Sequence, residues 1–328
     1  MRRHLRALSV CGMALVFSFF SFPASAQEIT ATIAGTVTDQ TGAPLPGVAV
    51  TARNTGKGVS TEAVTSRTGR YILPYLTNGE YEITFSMAGF KTSVAKNISL
   101  HVNDRLEVGA VLGVQGITEA VEVTASSQLI QPSPSVQNLM GSTQVQELPL
   151  NNRNFVQLAT LVPGVSSSLS DEVGLGLTST VSLSINGARR NAINWFVDGA
   201  SNVDVGSNIT LLNTPTLESI EEFKIITSSY AAEWPRSGGG IVNVVTKSGS
   251  NAFRGSVYEF YRNDSLNANS FFRKQSTNPA ISGAPPNLDY HNFGATLGGP
   301  IREDKLFFFA SYERRKICLL YTSDAADE

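Results

Sequence analysis

Three consecutive glycines, with a lysine and a serine further along the chain, are a candidate phosphate-binding loop. Gly238-Gly239-Gly240 precedes Lys247-Ser248, and backbone amides of glycine-rich loops can hold phosphate groups. The phosphate-binding pattern GxxxxGK[ST] needs a glycine directly before the lysine, whereas Thr246 stands there. We therefore interpret the glycines as a place of close backbone packing and unusual φ/ψ values.

Histidines and carboxylates do not form a recognisable catalytic or metal-binding pattern. His4, His101 and His291 lie far apart, and none belongs to an HExxH motif or a Cys/His array. Asp198 and Asp204 lack the ligand spacing of an EF-hand loop, and tight turns explain them better. The chain has no G-x-S-x-G elbow. We therefore predict no cofactor and no enzymatic activity.

The segment Glu119–Ala125 is β-prone and has the composition of a strand that binds another protein. It precedes Gln131–Pro134, whose prolines exclude a helix interior. Such a strand suits addition to the sheet edge of another protein. The alternatives are the last strand of the preceding domain or the first strand of the following one. The residues are Glu119, Ala120, Val121, Glu122, Val123, Thr124 and Ala125.

The N terminus has the pattern of a secretory signal peptide over residues 1–26. Arg2, Arg3 and Arg6 precede the apolar run 7–22, and Ala24-Ser25-Ala26 offers a cleavage site. The apolar run is shorter than the ~20 residues of a spanning helix, which disfavours a membrane anchor. Cys11 lies inside that run, which disfavours a lipoprotein. We therefore expect export.

Charge and cysteine content limit the partners and the source of stability. Removing the three leader arginines leaves 22 of the 25 basic residues against 27 acidic ones, so nucleic acid is not an expected partner. Of the two cysteines only Cys318 follows the leader, which excludes an internal disulfide. No later apolar stretch is long enough for a membrane helix. Any membrane contact is therefore expected through β-strands.

Residues 29–113 alternate between short strands and turns. Spacing of roughly 8–12 residues per strand predicts a small antiparallel sandwich. Four motifs within it, GTVTD (35–39), GAPLPGV (42–48), TGRY (68–71) and AGF (88–90), resemble the carboxypeptidase regulatory-like, or transthyretin-like, domain. The resemblance implies an accessory module without peptidase activity. Tyr71, Tyr75 and Tyr81 could stack on a sugar, but core or edge packing explains them better.

Residues 142–250 have mixed α/β character, and residues 251–316 have strand character. The second segment holds 12 of the 28 aromatic residues, as expected where interfacial girdles of a membrane barrel form. Five motifs precede it: NNRNF (151–155), LVPGV (161–165), SINGAR (184–189), FVDG (196–199) and ESIEEF (218–223). Their order resembles the plug of TonB-dependent outer-membrane receptors of the Oar-like type. That resemblance implies a plugged barrel.

The resemblance also implies roles for particular residues. Within the linker 114–141, the segment Glu119–Ala125 is similar to the TonB box, which a TonB-type coupling protein pulls. Polar contacts should hold a removable plug, so we expect four charged residues at the plug–barrel interface; solvated surface charge is the alternative. These are Arg153, Arg189, Glu233 and Arg236.

The sequence thus predicts a mainly β protein: an N-terminal transthyretin-like or immunoglobulin-like sandwich, a mixed α/β plug and the first strands of an incomplete transmembrane barrel. The expected location is the outer membrane, with the N-terminal domain in the periplasm. The transported ligand would be a siderophore, glycan, peptide or protein. A secreted or surface carbohydrate-binding-like sandwich without a transport role is the alternative. Residues 317–328 lose the strand pattern and are interpreted as a non-native tail, or else a natural short C terminus.

Overall fold

The computed structural model describes residues 30–114, 135–150, 153–167, 183–230, 234, 237–269, 271–283, 285 and 287–318. The predicted signal peptide, Glu119–Ala125, Glu233 and Arg236 lie outside these ranges. The described chain is mainly β-strand, in agreement with the predicted fold class. Within these ranges, no helix has the length and apolar character needed to cross a bilayer.

Residues 30–114 form a two-sheet sandwich. One sheet has the order β4-β1-β7, with β8 also pairing with β1, and the other has the order β3-β2-β5-β6. Alternate residues of β1 are buried, as expected for a strand that covers a core on one face. The strands are β1 (Ala31–Asp39), β2 (Ala49–Asn54), β3 (Ser60–Val64), β4 (Arg70–Leu76), β5 (Gly79–Ser86), β6 (Ser93–Leu100), β7 (Arg105–Glu107) and β8 (Ala110–Leu112).

The prediction of an antiparallel sandwich was wrong for the last two strands, β7 and β8. Both β7 and β8 pair parallel to β1. The reason is topological, because His101–Asp104 carries the chain from β6 in one sheet to β7 in the other. Turn composition could not show the direction in which the chain enters the second sheet.

The sandwich tyrosines largely belong to the protein interior. Tyr71 is buried and donates from its hydroxyl to the Val108 carbonyl at 2.7 Å. Tyr81 is also buried and donates to the Thr77 carbonyl at 2.9 Å. Core packing is therefore confirmed for these two, whereas Tyr75 is exposed.

Residues 135–250 form a second unit around a mixed five-stranded sheet of order β13-β12-β15-β14-β9. One face packs against α1 (Ser142–Glu147) and the 3-10 helix Phe155–Leu161, which bury Val145 and Phe155. Strands β12 and β15 are parallel, and the other pairs are antiparallel. The strands are β9 (Val136–Gly141), β10 (Val165–Ser167), β11 (Leu183–Ile185), β12 (Ile193–Val197), β13 (Ala200–Ser201), β14 (Ile220–Ser228) and β15 (Gly240–Thr246).

The end of the predicted linker 114–141 is part of this sheet. Strand β9 pairs with β14 from Val136↔Ser228 to Gly141↔Glu222. The segment VQNLMG lacks the period-two alternation of a half-buried strand, so its sequence did not reveal it. Pairing with β14 is a long-range interaction that only the folded chain displays.

The triple glycine packs closely against its neighbours, as predicted. A Cβ on Gly239 would lie 2.5 Å from Ala188 Cβ, and one on Gly240 would lie 2.7 Å from Ile185 Cδ1. The expectation of unusual φ/ψ values was wrong, since none of the three has positive φ. Lack of a side chain, rather than conformational freedom, is what Gly239 and Gly240 provide.

The third unit is an open antiparallel sheet of β16 (Arg254–Asn263), β17 (Asp289–Arg302) and β18 (Leu306–Cys318). Phe293, Ala295 and Leu297 are exposed on one face of β17, whereas Asn292 and Thr296 are buried on the other. This alternation is typical of barrel strands. Strand β18 continues two residues past the predicted end of strand character, because Ile317 and Cys318 pair with β17. The connection from β16 to β17 contains α2 (Phe271–Lys274) and α3 (Pro279–Ser282).

Candidate functional site

Arg153 joins the second unit to the third. Its Nη2 donates to Glu218 Oε1 at 2.6 Å, and both side chains are about nine-tenths buried. The guanidinium also lies 3.8 Å from the centroid of the Phe260 ring and 5.6 Å from that of Tyr258, both on β16. Cation–π contacts that exclude water contribute about 2 kcal/mol each. A residue of the predicted interface set therefore contacts both elements.

A hydroxyl pair and a carboxylate extend this polar surface over the sheet. The Thr216 and Ser311 hydroxyls lie 3.2 Å apart and connect the second unit to β18. Tyr258 donates to Glu313 Oε2 at 3.0 Å, and Arg315 Nε donates to Glu313 Oε1 at 2.6 Å. The buried face of β16–β18 is thus the polar one, facing the second unit.

Of the other predicted interface residues, Arg189 lies within the described part of the chain. Arg189 is exposed just before the 3-10 helix Arg190–Ala192. Glu233 and Arg236 lie outside the described residues, as does the segment Glu119–Ala125.

A second contact joins the sandwich to the second unit. We call His101–Asp104 the docking loop. Lys224 Nζ of β14 donates to Asp104 Oδ1 at 3.1 Å and to the Val102 carbonyl at 3.0 Å. The Val102 amide in turn donates to Glu222 Oε2 at 3.1 Å. The docking loop and β14 therefore exchange bonds in both directions.

His101 adds a titratable group to this contact. Its Nδ1 lies 3.1 Å from Glu222 Oε1. The hydrogen bond to Glu222 raises the pKa of His101 above its usual value, and burial opposes that shift. Asp104 also attracts the imidazolium, whereas Lys224 repels it. His101 thus belongs to a charged group of four residues instead of the plain surface or strand position expected from its sequence.

The sandwich also touches the segment that precedes β16, and through it the β17–β18 turn. Asn251 donates from its backbone amide to the Gly56 carbonyl at 3.1 Å. Its side chain and Asp304 exchange two hydrogen bonds, of 2.8 and 2.9 Å. A cleft of about 690 Å³ lies between the three units and is lined partly by Lys57 and Glu221. Burial lowers the pKa of Lys57 and raises that of Glu221.

The aspartates considered as calcium ligands hold turns. Asp198 accepts hydrogen bonds from the Thr246 amide and hydroxyl, both at 2.8 Å. Asp204 accepts from Ser207 and from the amide of Thr210, and these bonds hold its pKa below the usual range. Across the ranges given above, no group of three or more His, Cys, Asp or Glu side chains has a metal-binding arrangement.

A signal for the docking contact was present in the sequence. Strand β14 reads IEEFKIITS, in which Glu222 and Lys224 interrupt an apolar run. Charged residues on a buried strand are costly unless paired, so they indicate an opposing charged partner. The identity of that partner could not be read, because Asp104 lies 120 residues earlier in the chain.

Comparisons with known proteins agree with this three-part architecture. Residues 32–113 match the family model described as a carboxypeptidase regulatory-like domain, and residues 245–322 match that of an outer membrane beta barrel domain. Over 300 residues the chain is 33% identical to the TonB-dependent transporter Oar of Myxococcus xanthus, an alignment that covers 86% of this chain.

Over most of its length the chain is therefore similar to the Oar-like TonB-dependent receptors. It spans 26% of the length of the Oar transporter. The match to the outer membrane beta barrel domain identifies the third unit as barrel strands and supports the outer membrane as the location.

Two solved structures are weakly similar to parts of the chain. The siderophore receptor PirA from Acinetobacter baumannii is 20% identical, with a TM-score of 0.41 over 60% of this chain and 26% of PirA. The outer membrane transporter YddB from Escherichia coli is 18% identical, with a TM-score of 0.40 over 56% of this chain and 26% of YddB. The similarity of this chain to outer-membrane transporters therefore depends on the match to Oar and on the two family models.

Proposed function

We propose that the protein is a TonB-dependent outer-membrane receptor that admits a ligand when its plug is remodelled. The supporting observation is the bridge from Glu218 through Arg153 to the aromatic rings of β16. A plug that must stay in place and yet be displaced needs contacts of this polar, separable kind. Energy would come from the inner membrane, so this proposal assigns no catalytic group and no cofactor to the chain.

In this proposal, residues 142–250 are the plug, residues 29–113 a periplasmic accessory domain and residues 251–316 the beginning of the barrel. Arg153, Glu233 and Arg236 belong to the plug–barrel interface, whereas the exposed Arg189 is a solvated surface charge. The ligand is a siderophore, glycan, peptide or protein bound at the extracellular face.

Coupling to the inner membrane is assigned to Glu119–Ala125. The segment would add as a strand to the sheet edge of a TonB-type protein, which requires free backbone N–H groups. Val121→Pro removes one N–H and fixes φ, so it should abolish the interaction. Gln128→Pro makes the same backbone change outside the segment and serves as the matched control.

The experiment uses the full-length gene product in its outer membrane. Wild type and Gln128→Pro should bind the purified periplasmic domain of the host's TonB-type protein, whereas Val121→Pro should not. Equal binding by all three proteins would contradict the coupling assignment. Recovery of the full-length product as a soluble periplasmic protein, instead of a heat-modifiable barrel, would contradict the receptor assignment and favour the sandwich-binding alternative.

A further inference from the structure

The contact between the docking loop and β14 contains a buried ion pair. The ion pair of Lys224 and Asp104 has side-chain exposures of only 4% and 3%. Buried charges are stable only when paired and hydrogen-bonded, and Lys224 has both a carboxylate and a carbonyl as acceptors. Separation of the two domains would leave these charges without their partners until water reaches them. The contact is therefore specific for one docked arrangement.

The strand that receives the docking loop occupies a central place in the plug. Strand β14 lies between β15 and β9 in the sheet. Its Phe223 and Ile225 are fully buried in the plug core, while Glu222 and Lys224 reach the docking loop. One strand thus connects the plug core to the sandwich. Any rearrangement that moves β14 relative to the sandwich must break the buried charge contacts.

We propose that the sandwich is a latch on the plug, docked through the Lys224–Asp104 and Glu222–His101 pairs. The docked sandwich holds β14 in its resting position, and displacement of that strand requires the docking loop to release it. The docking itself is independent of ligand and TonB, whereas its effect on transport rests on the proposed receptor function.

The latch can be tested by cutting the covalent connection between the domains. A protease recognition sequence is inserted between residues 114 and 135 of the full-length receptor, and cleavage in outer-membrane vesicles is verified on a denaturing gel. The fraction of cleaved sandwich that stays with the vesicles after washing then measures docking. Lys224→Met keeps most of the side-chain volume and removes the cation that pairs with Asp104. Arg67→Met removes an exposed sandwich cation from the β3–β4 turn and is the matched control.

Wild type and Arg67→Met should retain the cleaved sandwich, and Lys224→Met should release it at least 10-fold faster. Asp104→Asn, which alters the other partner with little change of shape, should also accelerate release. Rapid release from the wild type, or equal retention by all four proteins, overturns the latch. Heat-modifiability of each variant shows that the barrel is folded. Failure of this test leaves TonB binding intact, so it is distinguishable from failure of the proposed function.

Discussion

Lys224 of the plug lies 3.1 Å from Asp104 of the sandwich, and both side chains are almost completely buried. Residues from two domains, 120 positions apart, thus form one ion pair shielded from solvent. This ion pair ties the sandwich to β14 of the neighbouring unit.

Replacing one partner of this ion pair should destabilise the docked arrangement more than replacing both partners. Lys224→Met should destabilise the docked arrangement by about 3–5 kcal/mol, because it removes the cation that pairs with the buried Asp104 carboxylate. The double variant Lys224→Met/Asp104→Leu should recover part of that loss. Thermal unfolding of the full-length receptor in detergent measures both effects. Additive losses in the double variant would show that the two charges do not interact.

Arg153 and Arg189 form a matched pair of plug arginines. Arg153→Met leaves Glu218 buried without its partner, so we expect a loss of about 3–5 kcal/mol in plug stability. Arg189→Met removes an exposed charge and should change stability by no more than about 0.5 kcal/mol. Thermal unfolding of the two variants tests this difference. Similar melting temperatures would show that the contacts of Arg153 contribute little.

Docking of the sandwich should depend on pH through His101. Its pKa is raised in the folded protein by Glu222, with Asp104 adding to and Lys224 opposing that effect. The stabilisation is therefore fully present below the unfolded pKa of about 6.5 and is lost as pH rises through the folded value.

The measurement is retention of the cleaved sandwich at a series of pH values. Retention by the wild type should decrease as pH rises through the raised pKa of His101, whereas His101→Gln should show a much flatter profile. An unchanged pH dependence in His101→Gln would exclude the imidazole as its source.

The neighbouring glycines Gly238 and Gly239 should respond differently to the same substitution. Gly239→Ala places a methyl group 2.5 Å from Ala188 Cβ, an overlap that should destabilise the plug by about 1–3 kcal/mol. At Gly238 the nearest atom, Ala192 Cβ, would be 3.6 Å from the new methyl group, which is ordinary contact. Gly238→Ala should therefore melt close to the wild type. An equal decrease in both variants would contradict a purely steric role.

Local patterns accounted for most of the predicted elements. Alternation in segments such as Gly79–Ser86 and Asp289–Arg302 was readable because strand periodicity is a property of neighbouring residues. Strand β9 escaped prediction because its own residues do not alternate, and its pairing partner lies far along the chain. The parallel entry of β7 beside β1 was missed for a related reason, since turn residues do not encode the direction of a crossover.

By itself, the sequence determined the order of a sandwich, a mixed α/β unit and strands of barrel character, because short motifs and periodicity are local properties. Tertiary structure alone decided which charges meet. Arg153 was one of four charged residues proposed for an interface, and only folding places its guanidinium between Glu218 and the ring of Phe260. The pairing of Lys224 with Asp104 was not expected at all, because the energy of a buried charge depends on partners that the chain brings together only when it folds.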